Sequence, residues 1–171
     1  MSSEIGKQKL FELLEELDKE LNRKIRVVAV GGTAMTLLGL KNSTIDIDLD
    51  VSGKDRETIA KAIKNLASGY RIDLFSNGLV FSQQLPEDYA EKAIPVRKKF
   101  EYIELLALSP LDIIVSKIAR LSERDWQDIQ ACIKKAKLSK EQVRKRAEKV
   151  EVVGSEEKYK NNLEKVLEEL F

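Results

Sequence analysis

Arg26-Val-Val-Ala-Val-Gly-Gly-Thr-Ala-Met35, followed shortly by Ser43-Thr-Ile-Asp-Ile-Asp-Leu-Asp-Val51, decides the fold of this chain. In the first stretch a β-branched run, Arg26 to Val30, ends on Gly31-Gly32, and Thr33 to Gly39 reads as a short helix, so the unit is strand, tight turn, helix. In the second, Ile45, Ile47, Leu49 and Val51 alternate with Asp46, Asp48 and Asp50 from Thr44 to Val51, the period of a strand with one buried face. The three aspartates share the other face, with Asp46 and Asp50 each about 7 Å along the strand from Asp48. A solvated strand face is the plain alternative, but such faces mix Lys, Thr and Glu, whereas Asp is a poor strand former. Carboxylates crowded in this way raise one another's pKa, draw in Lys or Arg, or share a divalent cation.

Working outward, Leu10, Leu13, Leu14, Leu17 and Leu21 stand at helical spacing and predict an amphipathic opening helix. Lys54 to Leu66 reads as a helix and Tyr70 to Phe75 as a further strand carrying Asp73. Ser76-Asn77-Gly78 is a hairpin-type turn from which Leu79-Val-Phe81 could pair back. Pro86 and Pro95 break the stretch between Gln83 and Phe100, and Tyr102 to Leu108 fits a last buried strand, with a helix as the alternative. Beyond it the chain is helical. Ser109-Pro-Leu-Asp112, Ser122-Glu-Arg-Asp125 and Ser139-Lys-Glu-Gln142 have the form of helix N-termini, and Pro110 suits a first helical position. A final amphipathic helix carries Tyr159, Leu163, Val166, Leu167 and Leu170 on one face.

Composition removes whole classes of chemistry. The 171 residues, 43% hydrophobic, suffice for a sizeable core. They include no histidine and a single cysteine, Cys132, which excludes a Ser-His-Asp triad, an imidazole metal site and a disulfide framework. The 30 basic and 29 acidic residues balance to +1, so no bulk attraction to nucleic acid or membranes is expected. No apolar run approaches the length of a bilayer span, and a cytoplasmic location is expected. The Lys/Arg run from Lys134 to Arg146 could grip RNA, but its interleaved apolar residues and Glu favour a solvated helix face.

Chemistry therefore rests on carboxylates, lysines or metal. A cation at Asp46 and Asp48 would be hard, Mg²⁺ or Mn²⁺, held by one or two carboxylates and substrate phosphates. Gly31-Gly32 lets the backbone approach a triphosphate, and Thr33 could add its hydroxyl as a helix cap or ligand. A phosphate turn beside a carboxylate strand suits phosphoryl transfer, where positioning and charge neutralisation supply most of the catalysis.

At these residues the chain resembles the nucleotidyltransferase superfamily: Gly31-Gly32, thirteen residues, then Asp46-Ile-Asp48-Leu. Val30-Gly-Gly-Thr-Ala-Met35 and Ser43-Thr-Ile-Asp-Ile-Asp-Leu49 resemble, more narrowly, a minimal prokaryotic branch that includes abortive-infection toxin-like nucleotidyltransferases. Ser109 to Lys117 and Arg124-Asp125-Trp-Gln-Asp128 are similar to that branch's later Lys and Asp motifs. The resemblance spans Val30 to Ile129 and leaves both terminal helices unexplained.

It implies an α/β (α+β) nucleotidyltransferase core with a mixed sheet of about four or five strands, formed by residues 1–108. Residues 109–171 would be a helical region packed on that core. It implies Asp46, Asp48 and Asp73 as catalytic metal ligands, with Asp73 also activating the acceptor hydroxyl. Gly31, Gly32, Thr33, Lys117 and Asp128 would contact the nucleotide, Asp125 being an alternative to Asp128 with an equally good reading as a helix cap. Lys117 also suits the rim of an apolar face, where a lysine would snorkel. Asp50 and Glu104 are further candidates: Asp50 as surface or supporting residue, Glu104 as a fallback carboxylate. Many superfamily members carry Ser at the position of Gly32, so one phosphate contact is missing here.

The implied activity is transfer of a nucleoside monophosphate from a triphosphate to a hydroxyl of a tRNA, protein or small molecule, as in toxin–antitoxin systems. A non-catalytic nucleotide- or nucleic-acid-binding regulatory module on the same fold is the second reading. A homodimer through the terminal helices is a third expectation, and requires their apolar faces to be unpaired within the monomer.

Overall fold

The computed structural model describes residues 3–66 and 69–171. Along the chain run β1 (Ile5–Gly6), α1 (Lys7–Lys19), β2 (Ile25–Ala29), α2 (Gly31–Leu37), β3 (Ser43–Thr44), β4 (Ile47–Val51), α3 (Arg56–Lys64) and β5 (Ile72–Ser76). There follow β6 (Leu79–Val80), β7 (Gln83–Gln84), α4 (Tyr89–Lys92), β8 (Ile94–Pro95) and β9 (Ile103–Ala107). The remainder is α5 (Pro110–Lys117), α6 (Glu123–Ala136), α7 (Lys140–Glu148), β10 (Glu151–Val152) and α8 (Glu156–Glu169). The class is the mixed α/β one that the sequence predicts, with more strands among the described residues than the four or five expected. Contacts divide the chain into one unit of Met1–Asn77 and Ala93–Leu108, and another of Gly78–Lys92 and Ser109–Phe171.

The first unit is built on strands in the order β5-β4-β2-β9-β8. β4 and β5 are parallel, as are β2 and β9, while β2 runs antiparallel to β4 and β8 to β9. Ile25, Val27, Ala29, Ile47, Leu49, Val51, Ile103, Leu105 and Ala107 share one face and are all buried. That face is the apolar half of the alternation read from the sequence, and its burial is the main stabilising term of this unit. Leu10, Leu14 and Leu17 of α1 are buried too, and the helix end is tied to the sheet by Asp18. Its carboxylate accepts the N–H groups of Glu101, Tyr102 and Ile103 at 3.0, 2.9 and 2.8 Å, holding the entry to β9.

Two features of this unit depart from the sequence reading. The expected continuous strand from Thr44 to Val51 is broken: β3 ends at Thr44, a bend occupies Ile45 and Asp46, and β4 begins at Ile47. β3 pairs instead with β1. The reason is local. The Asp46 carbonyl accepts hydroxyl hydrogen bonds from Thr44 at 2.9 Å and Thr33 at 3.1 Å, which removes it from any strand ladder. The second departure is that every residue of β4 is buried, the aspartates included, so neither of its faces is solvated.

The second unit contains the antiparallel strands β6, β7 and β10 and five helices, with α5 packing on α6 and α7, and α7 on α8. Three of its helix starts are those expected. Ser109 accepts the Asp112 N–H, and Ser122 with Asp125 and Ser139 with Gln142 form reciprocal capping boxes. The basic run ending at Arg146 is not a wholly solvated face. Arg146 is buried and grips Asp112 with two bonds of 2.5 and 2.8 Å, while a third reaches Asp88 at 2.7 Å. Tyr159, Leu163, Val166 and Leu167 of α8 are buried, so the apolar stripe of the last helix is already covered. No helix among the described residues is long and apolar enough to cross a membrane.

Candidate active site

The parallel pairing of β4 with β5 sets Asp48 directly opposite Asp73. Neighbouring strands lie about 4.8 Å apart, and paired residues of a parallel ladder point to the same face. The same register places Asp50 opposite Phe75, and β2 sets Val28 beside Asp50. Asp46 lies one step before β4, in the bend. Asp48 and Asp50 are 8% and 1% exposed, and Asp46 and Asp73 are half-buried.

The segment holding Asp46 and Asp48 is locked from α2. The fully buried Thr33 hydroxyl donates to the Asp46 carbonyl and accepts the Asp48 N–H at 2.9 Å, clamping the backbone on both sides of Ile47. Val30 N–H adds a bond to the Asp48 carbonyl at 3.0 Å. Thr33 is thus committed to the backbone of the two aspartates. It does not cap α2, whose capping residue is Val30.

Each of the two glycines has its own requirement. Gly31 has φ +55°, in the left-handed region that glycine adopts without steric cost. At Gly32 an added Cβ would lie 2.7 Å from the Thr44 hydroxyl oxygen. The missing serine of the family pattern thus has a physical cause: the space is taken by the hydroxyl that pins Asp46.

Arg71 supplies a counter-charge. Its Nε donates to Asp73 Oδ1 at 3.2 Å, and its carbonyl accepts the Ile47 N–H at 3.0 Å, fixing its backbone beside Asp46. The guanidinium is held above its ordinary pKa by the hydrogen bond to Asp73, by that residue's charge and then by Asp46, with a smaller contribution from Asp48. All three carboxylates therefore act on one cation. The signal for Arg71 available in the sequence is its place two residues before Asp73. Thr44 was missed because a hydroxyl bonding two residues ahead leaves no periodic trace.

Glu104 does not join this group. It pairs with Arg26 in the β2–β9 ladder, at the opposite end of β2 from Gly31, and the two side chains form an exposed ion pair at 3.6 Å. Asp50 is not surface, being among the most buried polar residues of the unit.

Lys117, Asp125 and Asp128 belong to the second unit, where they form their own network. Lys117 is 7% exposed rather than snorkelling, with Nζ 3.0 Å from Asp128 Oδ2 and 3.5 Å from Asp125 Oδ1. Asp125 also takes two bonds of 2.7 Å from Arg120 and closes the Ser122 capping box. Burial alone would raise the Asp125 pKa. The Arg120 hydrogen bonds, the Ser122 N–H and the Lys117 charge outweigh it and hold the carboxyl well below the usual carboxylate range. Asp125 and Asp128 thus both orient Lys117.

Asp46, Asp48 and Asp73 offer only hard oxygen donors, the kind Mg²⁺ and Mn²⁺ prefer. Among the described residues no group of three acidic or thiol side chains is arranged to hold a metal ion by itself. A cation resting on two carboxylates and completed by substrate oxygens fits this donor set, since Mg²⁺ rarely takes an all-protein cage.

The chain matches no curated protein and no solved structure. A family model described as nucleotidyltransferase of unknown function (DUF6036) matches residues 8–169, nearly the whole chain. With its carboxylate pair beside a Gly-Gly turn, the chain belongs to that nucleotidyltransferase family.

Proposed function

We propose that this chain is a metal-dependent nucleotidyltransferase that moves a nucleoside monophosphate from a nucleoside triphosphate to an acceptor hydroxyl. The observation that carries the reading is the pairing of Asp73 with Asp48, two residues beyond the clamped bend that holds Asp46. Asp46 and Asp48 would hold Mg²⁺ or Mn²⁺, and Asp73 would complete the site from the neighbouring strand. Bound there, the cation would neutralise charge on the triphosphate and on the leaving pyrophosphate.

The protein's own groups do the rest. The Gly31-Gly32 turn lets backbone approach the phosphates, and the Thr33 clamp keeps the two aspartates from relaxing apart. The acceptor oxygen forms a bond to the α-phosphorus as the bond to the β-phosphate's bridging oxygen breaks, and pyrophosphate leaves. The hydroxyl proton passes to the Asp73 carboxylate. A module that only binds nucleotide has no need of a third carboxylate on the adjacent strand, so the register of Asp73 supports turnover. The acceptor is a hydroxyl of tRNA, of a protein or of a small molecule, and a place in a toxin–antitoxin pair accords with the first two.

The test is incubation of the purified chain with each α-labelled triphosphate, Mg²⁺ or Mn²⁺, and cellular RNA or lysate. Transfer of label is expected from the wild type and not from Asp46→Ala/Asp48→Ala. Transfer that persists in the double variant sinks the assigned site, and absence of nucleotide binding by calorimetry in the wild type sinks the enzyme.

A further inference from the structure

The Arg71 guanidinium uses little of its hydrogen-bonding capacity where it stands. Nε donates to Asp73 at 3.2 Å, while the side chain is 73% exposed and no hydrogen bond is formed by its two terminal amino groups among the described residues. Its backbone cannot drift away, because its carbonyl is bonded to the Ile47 N–H between Asp46 and Asp48. A planar cation is therefore anchored by its main chain at an acidic cluster and held by its side chain through one exposed bond. Such a contact is easily exchanged, since exposed ion pairs contribute at most about 1 kcal/mol.

We propose that Arg71 has two successive partners: the Asp73 carboxylate, beside Asp46 and Asp48, when the site is empty, and the triphosphate of the incoming nucleotide once a divalent cation has taken the carboxylates. This rests on the metal-nucleotide reading of the site. The free edge of a guanidinium matches two phosphate oxygens at once, which an ammonium cannot do. Taking the carboxylates from Arg71 leaves an unpaired guanidinium beside them, and a polyanion arriving with the metal restores its pairing. Arg71 thereby opposes metal binding alone and favours metal with triphosphate, coupling the two ligands.

The two roles have opposite signs, which no purely structural role reproduces. Mn²⁺ affinity is measured by electron paramagnetic resonance on the full chain, and inorganic triphosphate affinity by calorimetry at saturating Mn²⁺. For Arg71→Ala, Mn²⁺ alone binds about threefold more tightly because a competing exposed cation is gone. Triphosphate then binds about tenfold more weakly, having lost a charge-assisted pair. Arg71→Lys keeps the wild-type Mn²⁺ affinity but recovers only part of the triphosphate affinity. If both affinities move together in Arg71→Ala, or neither moves, the proposal is overturned. Asp48→Ala is the control for the reading beneath it: Mn²⁺ binding that survives this substitution overturns the metal site itself, whatever Arg71 does.

Discussion

Thr33 and Asp48 are joined by a buried hydrogen bond in which the hydroxyl oxygen accepts the Asp48 N–H at 2.9 Å. The same hydroxyl donates its proton to the Asp46 carbonyl, so one β-branched side chain fixes the spacing of both proposed metal ligands. Thr33→Val keeps the shape and removes the buried hydroxyl that accepts the Asp48 N–H, at a cost of about 1–3 kcal/mol. Thr33→Ser retains both bonds and costs well under half of that. Urea denaturation checks the stability. Mn²⁺ titration checks the positioning role, with binding weakened in Thr33→Val and close to wild type in Thr33→Ser.

Gly32 and Thr44 compete for one volume. A Cβ on residue 32 would lie 2.7 Å from Thr44 Oγ1 and 3.5 Å from its Cβ, so the overlap is with the hydroxyl alone. Gly32→Ala is expected to destabilise by about 1–3 kcal/mol through overpacking. In a Thr44→Ala background the hydroxyl is gone and the same substitution costs less. A double-mutant cycle reads this coupling directly, and additive effects would show that the clash is relieved elsewhere. Gly32→Ser, the residue of many superfamily members, is expected to disturb the Asp46 bend rather than add a phosphate contact.

What the sequence disclosed and what it concealed divide by range. The Ser109, Ser122 and Ser139 helix starts are local hydrogen-bond patterns within four residues, and they were legible. So was the alternation through β4, because a period of two is a property of the backbone. The bend at Ile45 and Asp46 was not, since it depends on the Thr33 hydroxyl reaching thirteen residues along the chain. Strands of two residues, such as β1, β3, β7 and β10, are too short to show a period. Asp18 looks like any charged residue of an amphipathic helix until its carboxylate is found on three backbone N–H groups near β9. Of the site, Asp46, Asp48 and Asp73 were readable as acids, whereas the pairing that makes Asp73 relevant is a matter of strand register.

Arg146 is expected to be the most sensitive charged residue of the second unit. Its guanidinium is buried against Asp112, which is fully buried, and the hydrogen bonds it donates to Asp112 hold its pKa above the ordinary value. Arg146→Ala strands the Asp112 carboxylate and should cost about 3–5 kcal/mol. Arg146→Lys restores little, because an ammonium cannot reproduce the two-pronged contact. Asp88 is half-exposed on the outer side of the same arginine, so Asp88→Asn should cost under about 1 kcal/mol. Thermal denaturation of the three variants gives the ranking, and equal losses at positions 88 and 146 would contradict it.

Acid sensitivity should follow Asp125. Its folded carboxyl is held well below the ordinary range, so in acid the unfolded chain takes up the proton first. The resulting stability is fully present above the unfolded value of about 3.9 and is lost as pH falls below it toward the folded value. Asp88, lowered by its hydrogen bond with Arg146, adds a contribution of the same sign. Urea midpoints measured between pH 6 and pH 3 should decline for the wild type. Asp125→Asn begins less stable but declines less steeply over that window, and an unchanged slope would assign the acid limb to other carboxylates.

Cys132 is expected to behave as an apolar side chain until the protein opens. It is fully buried on α6, and its thiol is pushed up to about 12, first by burial and then by the charge of Asp128, against a smaller opposing effect of Lys117. Thiolate is the reactive form, so at pH 8 the folded protein offers a reagent neither access nor nucleophile. An aromatic disulfide reagent should leave the native chain unmodified and react at once in guanidinium chloride. At intermediate denaturant the labelling rate should track the unfolded fraction seen by circular dichroism, because the thiol becomes reactive only when the packing around α6 is lost. Fast labelling of the native chain at pH 8 would mean that α6 opens locally, well below the free energy of global unfolding.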